Sequence, residues 1–159
     1  MPKKYHIFFS MICLILCVTD KFFYFCKIYK FSKLMSNKEQ IKNWQNESKA
    51  DLESAINYIN RLRIIHGLFL CHLAIEKSLK AIIVKTNNKT ALKSHDINLL
   101  ANTANVSFTD KDNLFINSLV KYKIQGRYPD DSSDIPSKVK SEDYLKQTKL
   151  LVKKLHSLI

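Results

Sequence analysis

Glycine and proline are nearly missing from this chain: of its 159 residues, two are glycine and three are proline. With only Gly67 and Gly126, neither a G-x-x-x-x-G-K-S/T loop nor a dinucleotide fingerprint can be assembled, which excludes phosphate cradling by a glycine-rich backbone. The same scarcity leaves little material for tight hairpins, while Lys, Leu, Ile, Asn and Ser fill windows of helical period, so the expected fold class is all-α. Cysteine is also scarce beyond the first segment: Cys13, Cys17 and Cys26 lie early, and Cys71 alone follows. One thiol builds neither a disulfide framework nor a metal site, which makes a reducing cytoplasm the expected location. No His, Cys and Asp cluster stands at metal-ligand spacing, and neither a metal nor a cofactor is expected.

Acidic residues are outnumbered as well. Lys and Arg total 26 against 14 Asp and Glu, a net charge of +12 that favours polyanions such as RNA, nucleotides or an anionic membrane surface. Residues 1–34 hold six lysines against Asp20 and so carry +5 of this, leaving +7 on the remainder. The length and a hydrophobic content of 46% suit one domain with a sizeable core.

The first segment is read apart from the rest. "IFFSMICLILCV", Ile7 to Val18, is an apolar run behind Lys3 and Lys4, too short to span a bilayer unless it continues through Asp20 and Lys21, and without a small-x-small cleavage site. Met35 is followed at once by Ser36, with Glu39 three residues later, a capping box ahead of an amphipathic stretch. The expected division is an apolar, basic extension over 1–34 and a helical domain over 35–159. The extension is an upstream prolongation of the reading frame, a dispensable tail, an anchor or a signal, and a membrane enters as a partner only if it is retained.

From Ser36, Ile41, Trp44, Leu52, Ala55, Ile59 and Leu62 recur at helical steps, with Ser48 filling one gap. A second helix, from about Ile65 to Val84, is apolar on most sides, as for a central helix packed by several neighbours or by another subunit. Ile97, Leu100, Ala101 and Ala104 form a short third helix behind Ser94 and Asp96, either of which can cap it. Thr109 with Asp112 opens a fourth, whose stripe is Phe115, Leu119 and Tyr122 and whose stop is Gly126. After the loop Arg127 to Ser137, a last helix is predicted from near Ser141, with Tyr144, Leu151, Leu155 and Leu158 as its core face. Four main helices and a short one describe an up-and-down bundle.

Four pieces in this order, "WQNESKADLESA", "AIEKSLKAIIV", "SHDINLL" and "YKIQGRYPDD", resemble the HEPN domain family over residues 36–159. The resemblance implies a helical bundle that often dimerises, here through the second helix. It also implies a nucleotide or RNA ligand, or a nucleotidyltransferase as protein partner in a toxin-antitoxin-like pair. The RNase branches of the family use an Arg, four to six residues and a His for metal-independent cleavage, the Arg steadying phosphate while the His moves protons. After Arg127 this sequence reads "YPDDSSD", with no His before His156, so no catalytic residue is assigned. "RLRIIH" has the spacing, Arg61 to His66, but at the junction of the first two helices, where such residues serve as solvated or capping groups. Leu73 stands where this branch of the family would have a polar residue.

Lys77, Lys80, His95, Arg127 and Tyr128 are the candidate nucleotide- or RNA-binding residues. Spacing alone makes Glu76 and Lys80 a solvated i,i+4 ion pair; the family resemblance puts Lys77 and Lys80 in a groove as phosphate-holding point charges. His95 either joins that site or ties its loop to the bundle. Arg127 and Tyr128 either bind phosphate and stack a base, or Arg127 pairs with Asp130 or Asp131. His72 reads as a packed histidine. The second functional class is a non-catalytic protein-interaction module, and a third is a divergent RNase toxin.

Overall fold

Ser36 opens the first helix by a reciprocal cap: its hydroxyl accepts from the Glu39 amide while the Glu39 carboxylate accepts from the Ser36 amide at 2.9 Å. The computed structural model describes residues 35–88, 90–125 and 135–159, and Ser36–Ile159 forms one compact unit. The described residues contain five helices and no strand: α1 (Asn37–Asn60), α2 (Ile64–Asn87), α3 (Ile97–Thr103), α4 (Asp110–Gln125) and α5 (Lys138–His156). None of these is long and apolar enough to cross a membrane. Residues 1–34 and the predicted stop at Gly126 lie outside the described residues.

Side-chain pairings set the directions. Asn37 on α1 donates to Asn88 just past α2, so α1 and α2 form an antiparallel hairpin. Ser78 meets His156, and Lys85 donates to the carbonyls of Leu158 and Ile159, which runs α5 parallel to α2. Asp112 pairs with Lys154 while Phe115 and Tyr122 both pack on Tyr144, which turns α4 antiparallel to α5. The result is the up-and-down bundle with α2 against each of the other four helices. Most of its apolar residues are covered within this unit: Leu68, Cys71, Ala74, Ile75, Leu79, Ile82 and Ile83 all belong to the core.

Gly67 allows the tight crossing of α1 and α2. A Cβ built there would sit 2.5 Å from Ile59 Cγ1 and 3.2 Å from the Ala55 carbonyl oxygen. The capping expectations at Thr109 and Asp112 are met reciprocally, each side chain accepting the other's amide at 3.2 Å. Of the two candidates before α3 it is Asp96 that caps, accepting from Asn98 and Leu99, while Ser94 accepts from the Asp96 amide.

Three boundaries differ from the reading of the sequence. Leu62 does not extend the α1 stripe; it lies in the turn at φ 59° and is 68% exposed, because the chain reverses at Arg61. The last helix starts at Lys138, since Ser137 accepts from the Lys140 amide and makes a cap one turn ahead of Ser141. Leu158 is exposed beyond the end of α5, and Leu145 and Val152 are buried in addition to Tyr144, Leu151 and Leu155.

Candidate functional site

Lys77 and Lys80 of α2 face α1. At helical spacing α1 presents Trp44, Glu47, Ser48 and Asp51, and opposite them α2 presents His72, Glu76, Lys77 and Lys80. Glu76 is 3% exposed and is the hub. Its Oε1 accepts from Lys80 Nζ at 2.8 Å, both its oxygens lie 3.1 Å from His95 Nδ1, and His72 Nε2 is 3.9 Å from Oε2. The Lys80 ammonium also sits 5.1 Å from the centre of the Trp44 ring, where the negative face of the indole attracts a cation. The Glu76–Lys80 pair is thus not the solvated pair that spacing suggested. It is buried because α1 covers this turn of α2 and His95 folds over its edge.

Lys77 turns to the other side. Its Nζ lies 2.7 Å from Asp51 Oδ2 and 3.0 Å from Glu47 Oε2. Burial pulls the Lys77 ammonium down, but hydrogen bonds and attraction from Asp51 and Glu47 outweigh it and hold it above the usual lysine range. Asp51 moves up from the ordinary carboxylate range, because burial outweighs the stabilisation that Lys77 supplies. Further along the same seam, the Ser48 and Ser78 hydroxyls both reach the Ala74 carbonyl, at 2.7 and 2.8 Å, and Ser78 Oγ lies 3.1 Å from His156 Nε2. Half-burial, and then the charge of Lys49, push the His156 imidazole below its usual range.

Of the five predicted binding residues the structure joins two, Lys80 and His95, through Glu76. Lys77 belongs to the neighbouring α1 ion pair. Arg127 and Tyr128 lie outside the described residues. Trp44, His72 and Glu76 also form this cluster and were not among the predicted binding residues; the signal available was the single Trp of the chain, on α1 with the helical phase of Ser48.

The chemistry follows from the acceptor. A carboxylate only accepts, so His95 Nδ1 carries the proton at this contact. His95 is 54% exposed while Glu76 beneath it is buried, so the imidazole is an oriented polar group at the surface, fixed from below by a charge-assisted hydrogen bond. Among the described residues no three His, Cys, Asp or Glu side chains are placed to hold a metal ion.

The crystal structure of TT1696 from Thermus thermophilus superimposes with a TM-score of 0.64 at 18% identity, covering 76% of this chain and 98% of that one, a likeness of fold. No curated protein matches the chain. The profile of the HEPN domain matches residues 41–158, from the second turn of α1 to beyond the end of α5, and the chain therefore belongs to the HEPN domain family.

Proposed function

We propose that this HEPN domain binds a nucleotide or single-stranded RNA at the surface where His95 rests on Glu76. The observation that carries the reading is the exposed imidazole held by a buried carboxylate, beside Lys80 and the half-buried Trp44. An oriented imidazole beside an indole ring suits a base or ribose, and the +7 charge of residues 35–159 draws a polyanion towards it. Lys80 acts here as a positioning residue that helps hold Glu76. Arg127 supplies the phosphate contact and Tyr128 the stacking ring in this reading, as their residue types suggest.

The test is a titration of the full chain into end-labelled single-stranded RNA in EDTA, following anisotropy over a range of salt and then running the RNA on a gel. Binding that falls steeply with salt, weakens in His95→Ala and Arg127→Ala, and leaves the RNA intact supports a non-cleaving binder. Cleaved RNA would instead move the protein to the RNase branch. Absence of binding at low salt would favour a second reading, a protein-interaction module whose partner is a nucleotidyltransferase. That reading is supported by exposed Leu150, which with Phe115 and Leu151 lines a pocket between α4 and α5.

A further inference from the structure

The turn between α1 and α2 holds a second group of basic and aromatic side chains. A pocket of about 270 Å³ opens there, lined by Ser54, Asn57, Tyr58, Arg61 and Arg63. The lining carries two guanidinium groups, a hydroxyl, an amide and a phenol, and no carboxylate. Neither Arg61 nor Arg63 has an acidic partner within 4.0 Å among the described residues, in contrast to Lys77, Lys80, Lys138 and Lys154, which do. It lies away from Glu76: Arg63 precedes that residue by thirteen positions on α2, a rise of roughly 20 Å.

The backbone under the pocket is pinned. Arg61 N–H donates to the Asn57 carbonyl at 3.2 Å, Leu62 N–H to Ile59 at 3.0 Å and Arg63 N–H to Tyr58 at 2.9 Å. Between the two arginines Leu62 takes the left-handed conformation, which is strained for a side chain with a Cβ and here brings Arg61 and Arg63 to the same pocket. The Arg63 guanidinium lies 5.5 Å from the centre of the Tyr58 ring, and the His66 ring stacks on the same tyrosine at 5.9 Å and 15°. Stacking limits the rotamers available to Arg63, so less ordering remains to be done when an anion binds.

We infer that the α1–α2 turn is a binding site for a terminal phosphate dianion, free or carried as a monoester, clamped between the guanidinium groups of Arg61 and Arg63. Two forks in one pocket match the terminal oxygens of such a group, the Ser54 hydroxyl and Asn57 amide add neutral donors, and a dianion balances the two positive charges. The shared chemistry has two sources, free inorganic phosphate and the 5′-terminal phosphate of an oligonucleotide. The site is independent of the one at His95, and its test separates the two.

The experiment is a titration of the ¹⁵N-labelled full chain with inorganic phosphate, read by amide and arginine side-chain chemical shifts. The expected result is saturable shifts at Tyr58, Arg61, Leu62 and Arg63, lost or weakened roughly tenfold or more in Arg61→Gln/Arg63→Gln and retained in His95→Ala. Arg61→Lys/Arg63→Lys, which keeps the charge but loses the forks, should fall between. Unchanged spectra away from the turn show that the variants are folded. Comparing 5′-phosphorylated with 5′-hydroxyl RNA then identifies the source: an advantage of the phosphorylated end that disappears in the Gln double variant assigns the oligonucleotide, and its absence alongside saturable phosphate shifts assigns the free ion. Non-saturating shifts, or equal affinity in the wild type and the Gln double variant, would overturn the site.

Discussion

His95 Nδ1 lies 3.1 Å from both carboxylate oxygens of Glu76, a residue nineteen positions earlier in the chain and almost fully buried. The same carboxylate holds the buried ammonium of Lys80 at 2.8 Å, so removing its charge leaves Lys80 uncompensated under α1. Breaking one side of a buried pair costs about 3–5 kcal/mol, whereas replacing both partners by apolar groups of similar shape is often nearly neutral. Glu76→Gln is therefore expected to lower the unfolding free energy by about 3 kcal/mol, and Glu76→Gln/Lys80→Met to recover at least half of the loss. Urea titrations of the wild type, both single variants and the double variant measure this coupling. A single variant within about 1 kcal/mol of the wild type would show that water reaches Lys80 and that the pair is not the anchor of this seam.

The contact at Gly67 gives a second expectation. Alanine is the better helix former by about 1 kcal/mol, so propensity alone predicts that Gly67→Ala stabilises α2. The added methyl would, however, meet Ile59 Cγ1 at 2.5 Å, a carbon close to the backbone of a fully buried residue rather than the far end of a flexible side chain. Overpacking costs about 1–3 kcal/mol and should prevail, giving a net loss of about 1–2 kcal/mol. Ile59→Ala in the same chain removes Cγ1, so the Gly67→Ala step should cost less in that background. Thermal melts of the two single variants and the pair decide between propensity and packing.

The helices were legible because each announces itself locally. Ser36 with Glu39 and Thr109 with Asp112 are caps written within four residues, and Ile97, Leu100, Ala101 and Ala104 are periodic and all buried. What misled was local as well: Leu62 continues the α1 stripe in phase, but the chain turns at Arg61 and carries it into solvent. The Glu76 cluster was only half legible. An i,i+4 Glu and Lys look alike whether solvated or buried, and what buries them here is Trp44 from another helix and His95 from a loop, long-range contacts that spacing does not encode. The arginine pocket was visible as "RLRIIH" and read as a solvated junction, because nothing in that string says that Tyr58 lies beneath Arg63.

Leu62 tests whether the strain in that turn is real. An L-residue in the left-handed region costs roughly 1–2 kcal/mol, and Gly regains this less the roughly 0.5–1 kcal/mol of extra backbone freedom it has when unfolded. Leu62 is 68% exposed, so little packing is lost with its side chain. Leu62→Gly is expected to raise stability by about 0.5–1 kcal/mol, and Leu62→Ala, which removes the side chain but keeps the Cβ, should not. Chemical denaturation of both variants distinguishes relief of strain from loss of an exposed apolar group.

His156 makes stability depend on pH in a definite direction. Its imidazole is half-buried beside the Ser78 hydroxyl and near Lys49, and burial followed by that charge lowers its pKa in the folded chain below the unfolded value. Between those two values the unfolded chain binds the proton more readily, so stability rises with pH there. The contribution is complete above the ordinary histidine range and is lost as pH falls through it towards the folded pKa. The urea midpoint is accordingly expected to drop from about pH 7.5 to about pH 5.5, a window that brackets the ordinary histidine value. His156→Gln keeps a polar group near Ser78 but cannot titrate, and it should flatten that dependence, whereas His66→Gln, at the α1–α2 turn, serves as a control for histidine loss in general. An equal drop in the wild type and His156→Gln would mean that the dependence arises elsewhere.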